Sequence, residues 1–212
     1  MKMGCFCIFR HKFSQTVSTL SDIQISHNQQ GLRVKFLLIT NPNNPLGVVY
    51  TSKVILDSIN WSRDRKMHIL VDEIYALSVH KVNTKVDEFE TFHYFHSHKL
   101  CFDSCNTQES GDNFQSVIKI LDNKLGNDVH FLWALSKDFG SSGFRFGVLY
   151  TQNKLLVKAL GNLNIFSGVS NPVQAVTAKM LSDDVFVDKL LDNSRILLEN
   201  SYPNATENTS YE

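Results

Sequence analysis

Six residues in three short polar segments carry side chains that could do chemistry together: Asn44, then Asp72 and Tyr75, then Ser136, Lys137 and Arg145. Each segment follows a run of apolar residues, so each stands at the end of a candidate buried strand. A lysine in that position is costly to bury unless it is paired or used, and a desolvated lysine has a lowered pKa and becomes a nucleophile for carbonyls. Asp72, closing an apolar strand, is equally expensive unless it meets a cation. Arg145 lies in a glycine-bearing turn and can fork onto a phosphate. Amine, carboxylate, phenol, amide and guanidinium together suit one ligand, pyridoxal phosphate. The lysine would form the Schiff base, the aspartate would pair the pyridinium nitrogen, and the arginine would hold the phosphate. Taken singly, each residue has a plainer reading. Lys137 and Arg145 would be the basic residues of a solvated loop, Tyr75 a half-buried core tyrosine, and Asp72-Glu73 a helix N-cap after a strand.

The elements that must position these residues can be read from the apolar pattern. Val34 to Thr40 (V-K-F-L-L-I-T) is a short run of the kind that makes a buried strand, and it ends in N-P-N-N-P-L-G. Thr51 and Ser52 offer N-caps for a helix through Lys66, with Val54, Ile55, Leu56 and Ile59 on its inner side. Met67 to Val71 is a second strand, closing on Asp72-Glu73. Strand, helix and strand within about forty residues predict a right-handed crossover and a parallel sheet. A short helix near Phe114 precedes a third strand, Val129 to Leu135, which ends in S-K-D-F-G-S-S-G-F-R-F-G. Phe146 to Tyr150 is a fourth short strand, and helices follow over Asn153 to Leu163, Pro172 to Leu181 and Val185 to Leu198. In parallel α/β sheets the carboxyl ends of the strands are where ligands bind, and the three polar segments sit there.

The segments N-P-N-N-P-L-G, V-D-E-I-Y and S-K-D-F-G-S-S-G-F-R-F-G resemble the three signatures of the fold-type-I pyridoxal-phosphate enzymes, the aminotransferase class I/II superfamily. Within it the chain is most similar to 1-aminocyclopropane-1-carboxylate synthase and its animal homologues. The resemblance covers roughly Gly31 to Leu198, and Asn44 and Asp72 are 28 positions apart, the family's spacing. It implies that Lys137 carries the cofactor and later moves the Cα proton, and that Asp72 keeps the ring nitrogen protonated. Asn44 and Tyr75 would hydrogen-bond the ring's phenolic oxygen, and Arg145, with Ser136, would bind the phosphate. Transamination or a lyase step on an amino-acid substrate, in a homodimer, is the implied activity. In three respects the chain departs from the family. Ala134 stands where many relatives have a phosphate-binding serine, and Asp72 and Lys137 are 65 positions apart, longer than usual. The upstream part of the large domain and the distal part of the small domain have no counterpart, so the expectation is a chain truncated at both ends. The competing expectation is a non-catalytic pseudoenzyme or interaction fragment that keeps the sheet.

The expected architecture is therefore α/β, part of a type I pyridoxal-phosphate large domain with a mostly parallel sheet over 31–165. An irregular leader (1–30) precedes it, helices toward an incomplete small domain (166–200) follow, and a polar tail (201–212) ends the chain. Residues 82–113 form an irregular insert crowded with aromatics. His93, His96, His98, Cys101 and Cys105 fall within it, but their spacing matches no standard zinc finger, so no metal is expected. The remaining composition mostly excludes. The 21 basic and 21 acidic residues cancel, which argues against a nucleic-acid binder. A hydrophobic share of 42% with 11% aromatics builds a core and excludes a disordered tail. The apolar runs fall short of a membrane span. Four cysteines in 212 residues make no disulfide scaffold. A soluble, cytoplasmic protein in a reducing compartment is expected.

Overall fold

The computed structural model describes residues 3–7, 16–45, 47–79 and 114–207. Five strands form one sheet in chain order: β1 (Met3–Cys7), β2 (Arg33–Thr40), β3 (His68–Asp72), β4 (Val129–Ala134) and β5 (Gly147–Thr151). The first four run parallel and β5 is antiparallel to β4. Between them lie α1 (Thr16–Gln29), α2 (Ser52–Asp64), and two single turns, α3 (Val117–Ile120) and α4 (Leu135–Asp138). Three helices follow the sheet: α5 (Lys154–Ser167), α6 (Asn171–Leu181) and α7 (Asp184–Glu207).

The core lies between one face of the sheet and the first helices. Leu37 and Ile39 of β2, Ile69 and Val71 of β3, and Val129 of β4 alternate inward, as a strand period of two requires, and all are buried. They meet Ile55, Ile59 and Trp61 of α2 and Leu20 of α1 in a single cluster. Burying each of the large aliphatic side chains is worth about 1.5–3 kcal/mol. The inner stripe of α2 runs through Ile55, Ser58, Ile59 and Ser62, one helical face; Val54 and Leu56 flank it half-buried. On the other face of the sheet Phe36, Leu38, Leu70 and Leu132 are half-buried.

The first thirty residues hold more structure than their pattern announces, since β1 and α1 both fall there. The inward positions of α1 are Leu20, Ile23, Gln24 and His27, a regular helical stripe in which two of the four residues are polar. Leu20 and Ile23 dock it on the core, and hydrogen bonds add to them. Ser21 Oγ accepts from the Trp61 indole at 3.0 Å, and Gln24 Oε1 accepts from Arg65 Nε at 2.9 Å. A hydropathy pattern cannot show such a face. At the other end α7 continues to Glu207, into the stretch read as a polar tail. The 82–113 insert lies outside the described residues.

One buried polar group ties the amino-terminal end of the sheet. His130 of β4 is 1% exposed, with Nδ1 at 2.8 Å from Thr151 Oγ1 and Nε2 at 2.9 Å from His68 Nδ1. Burial, and then the neighbouring His68, hold its pKa below the usual histidine value, against a smaller upward pull from Asp128. An unfolded chain therefore takes up this proton near pH 6.5, while the folded chain does so only at lower pH. The contribution is intact above that value and is lost as pH falls below it. Chemical denaturation at pH 7 and pH 5 should show wild type losing more stability on acidification than His130→Gln.

Candidate functional site

Asn44, Tyr75 and Lys137 meet beyond the carboxyl ends of β2, β3 and β4. Thr40, Asp72 and Leu132 lie side by side in register. The ladder runs one residue further, with Asn41 N–H donating to Asp72 O and Glu73 N–H to Leu132 O, both at 2.9 Å. The three loops thus leave the sheet at one level.

The loop after β2 folds on itself. Asn41 Oδ1 accepts from Tyr50 N–H at 2.8 Å, and Asn43 Nδ2 donates to the Tyr50 hydroxyl at 3.2 Å. Gly47, at φ +64°, returns its N–H to Asn43 O at 2.9 Å, a left-handed turn that favours glycine. Both prolines follow cis peptide bonds. The buried Asn41 and Asn43 leave Asn44 at the exposed tip, where Nδ2 donates to the Tyr75 hydroxyl at 3.1 Å.

Tyr75 sits in the turn after β3, and Lys137 Nζ lies 5.7 Å from its ring centroid. Among the described residues the Lys137 ammonium makes no hydrogen bond or ion pair. It projects outward from the single turn α4, which Gly140 closes at φ +60° with its N–H on Lys137 O. A Cβ on Gly140 would meet open space, so the left-handed backbone, and not crowding, calls for glycine there.

Asp72 is half-buried and its Oδ1 accepts the Ile74 N–H at 3.1 Å. Burial holds its pKa above the usual carboxylate value, and that hydrogen bond only partly offsets the rise. It is a partly desolvated carboxylate with no cation beside it among the described residues. Arg145 is exposed, at the left-handed φ of +51°, a conformation costing of order 1 kcal/mol for a non-glycine residue. Its guanidinium donates to Ser142 O at 3.1 Å, and no hydrogen bond joins it to Lys137 or Tyr75. Ser136 precedes Lys137 on α4, half-buried. Asn44, Tyr75 and Lys137 are thus brought into contact, while Asp72, Ser136 and Arg145 share only the strand-end edge with them. His93, His96, His98, Cys101 and Cys105 lie outside the described residues; among the described ones no three groups could hold a metal ion.

Two acidic residues next to the predicted ones carry more structure than their positions suggested. Glu73 is 1% exposed, and Oε1 accepts from Val117 N–H at 2.6 Å, so it caps α3 rather than a helix directly after β3. Asp138 is 5% exposed and accepts from Leu77 N–H, Ser78 Oγ and Trp133 Nε1. Nothing in the sequence marks either as buried, since acidic residues in polar loops usually face water.

The donor set suits a phosphorylated pyridine aldehyde: a free amine, a phenol and amide joined beside it, and a desolvated carboxylate awaiting a cation. The chain belongs to the aminotransferase class I and II family, whose model matches residues 9–207 and so begins well before the Gly31 at which the sequence resemblance started. It is 32% identical over 180 residues to the human "probable inactive 1-aminocyclopropane-1-carboxylate synthase-like protein 2", covering 85% of this chain and 27% of that protein. It is 31% identical over 193 residues to the 1-aminocyclopropane-1-carboxylate synthase of Vigna radiata, covering 89% of this chain and 45% of the other. The chain thus spans less than half the length of these curated relatives. Its fold is that of the PLP-bound C-S lyase of Staphylococcus hominis (TM-score 0.60, 16% identity, 87% of this chain and 38% of that one). It is also that of a Thermus thermophilus aspartate aminotransferase (TM-score 0.55, 16% identity, 77% and 34%). No helix among the described residues is long and apolar enough to cross a membrane.

Glu73 gives a prediction about this edge. Burial above all, with a smaller push from Asp72, raises its pKa from 4.5 to about 7, against the pull of the Val117 amide and the Ser116 hydroxyl. Between those values the folded chain holds the proton that the unfolded chain has released, so stability falls as pH rises from 4.5 through 7. Glu73→Gln keeps an acceptor for Val117 without the charge. Denaturation midpoints should show the variant gaining on wild type as pH rises, by up to about 3 kcal/mol at pH 8.

Proposed function

We propose that this chain is the cofactor-binding part of a pyridoxal-phosphate enzyme acting on an amino-acid substrate, with the cofactor on Lys137. The observation that carries the reading is the hydrogen bond between Asn44 and Tyr75 with the Lys137 amine 5.7 Å from the phenol ring. Three residues from three separate loops converge, and together they suit the aldehyde and the phenolic oxygen of one ring.

Lys137, unpaired among the described residues, is available as a nucleophile for a carbonyl and then as the base that takes and returns the substrate's Cα proton. Asn44 and Tyr75, joined to each other, offer an amide N–H and a phenol O–H to the ring's phenolic oxygen. Asp72 would pair with the ring nitrogen and keep it protonated, which relieves the cost of its own burial. Arg145 would turn from Ser142 O to the phosphate, with the Ser136 hydroxyl beside it. Bound there, pyridoxal phosphate supplies an electron sink that stabilises negative charge at Cα. Transamination and a lyase step share that first proton transfer, so these residues serve either one. A homodimer is the assembly in which relatives of this kind would complete the site, and the cytoplasm is the matching compartment.

A second reading, a non-catalytic pseudoenzyme or interaction fragment, has its own support. Ala134 offers no hydroxyl at the strand end, Arg145 is engaged with Ser142 O, and the human relative is named as probably inactive.

The two readings part on cofactor capture. With added pyridoxal phosphate, the catalytic reading expects visible absorption and, after borohydride reduction, mass-spectrometric mapping of a single adduct to Lys137. Lys137→Ala should abolish both, and Asp72→Asn should weaken cofactor retention by about tenfold or more. Adducts scattered over surface lysines, or no absorption, would sink the catalytic reading and leave the second.

A further inference from the structure

We infer that Asp138 is a positioning residue of this site: its buried carboxylate clamps the loop carrying Tyr75 to the turn carrying Lys137. The inference rests on the proposed function for its consequence, but the clamp itself is a matter of this chain's own hydrogen bonds.

Lys137 and Asp138 are consecutive in α4, so their side chains leave the turn about 100° apart. One is exposed and the other 5% exposed. The Asp138 carboxylate collects three donors. Leu77 N–H reaches Oδ2 at 3.2 Å and the Ser78 hydroxyl reaches Oδ1 at 2.7 Å, both from the segment just after Tyr75. The third is the Trp133 indole N–H, to Oδ2 at 2.9 Å, from the strand that leads into α4. Trp133 is in turn braced edge-on by Phe139, ring centroids 5.9 Å apart. One side chain thus joins the end of β4, the lysine turn and the tyrosine loop. The loop is also tied to the β2 loop by Asn44 Nδ2 on the Tyr75 hydroxyl and to β4 by Glu73 N–H on Leu132 O, while the bonds to Asp138 reach the lysine turn itself. The loop's own backbone bonds, Ala76 N–H to Glu73 O and Ser78 N–H to Tyr75 O, are internal and set its shape without setting its distance from Lys137. Asp138 thus links the segment after Tyr75 directly to the turn that carries Lys137.

The chemistry separates position from charge. Asparagine can keep the clamp: its Oδ1 takes the Leu77 and Trp133 donors, and its Nδ2 donates to the Ser78 hydroxyl, which can accept as well as donate. Alanine removes the clamp and strands three donors. If Asp138 positions, Asp138→Asn behaves as wild type and Asp138→Ala does not. If Asp138 acts through its negative charge beside Lys137, the two variants fail alike.

The first measurement needs no cofactor. Amide hydrogen exchange at Leu77, followed by NMR together with the Trp133 indole resonance, should accelerate about tenfold in Asp138→Ala and stay near wild type in Asp138→Asn. Ser78→Ala removes one donor without emptying the site and should give an intermediate acceleration, which keeps the test alive if the alanine variant fails to fold. The second measurement is the pH midpoint of the visible absorption with pyridoxal phosphate, which should move in Asp138→Ala and be restored in Asp138→Asn. Unchanged Leu77 exchange in Asp138→Ala or, should that variant not fold, in Ser78→Ala would overturn the clamp. A midpoint that moves equally in both Asp138 variants would overturn the positioning role in favour of charge. A wild-type chain that takes up no cofactor on Lys137 would sink the proposed function alone, and the exchange measurement would still decide the clamp.

Discussion

Parallel strands in register are the constraint on which the site depends. Thr40, Asp72 and Leu132 share one level of the sheet, and the loops that follow must start there together. The apolar core enforces that level. A slip of β3 by one residue would turn Ile69 and Val71 out of the cluster they fill, at about 1.5–3 kcal/mol each, and would carry Asp72 to the opposite face. Hydrophobic packing on the helix side thus determines where a carboxylate stands at the sheet's end, and Asn44, Tyr75 and Lys137 meet although 31 and 62 positions separate them along the chain.

A common device recurs in the three loops. In each, a candidate site residue has a polar neighbour in sequence that is buried and hydrogen-bonded. Asn43 holds the Tyr50 hydroxyl beneath Asn44, Glu73 caps α3 behind Asp72, and Asp138 gathers three donors behind Lys137. The inward members cost desolvation, which hydrogen bonds to neighbouring segments offset, at Glu73 only in part. Asn44 and Lys137 are left exposed with few partners.

Most of the sheet and the identity of the strand-end residues were legible in the sequence, because both have local signatures. V-K-F-L-L-I-T and M-H-I-L-V are apolar runs bounded by turn residues, and they became β2 and β3 within a residue at either end. Helix α1 was not legible, because its inner stripe includes Gln24 and His27 and it docks in part by hydrogen bonds to Trp61 and Arg65. The continuation of α7 to Glu207 was hidden because its residues are mostly polar and show no apolar stripe. The burial of Glu73 and Asp138 was not legible for another reason. A sequence shows that a carboxylate is present, but the donors that let it be buried come from Val117, 44 positions away, and from Leu77 and Ser78, 61 and 60 positions away.

The sheet's strand order bears on how the protein comes into being. Among the described residues each strand from β2 to β5 pairs with the strand before it in the chain. Each of these strands, as it emerges on a translating ribosome, therefore finds its preceding partner already made. Growth by successive addition keeps the sequence separation of most pairings small, which favours rapid assembly and shortens the time for which a bare strand edge is open to other chains. Only the step from β3 to β4 spans a long stretch, from Asp72 to Val129, and it falls between the strands that bring Tyr75 and Lys137 together. The strand that leads to Lys137 is thereby the last of the described parallel strands to be synthesised.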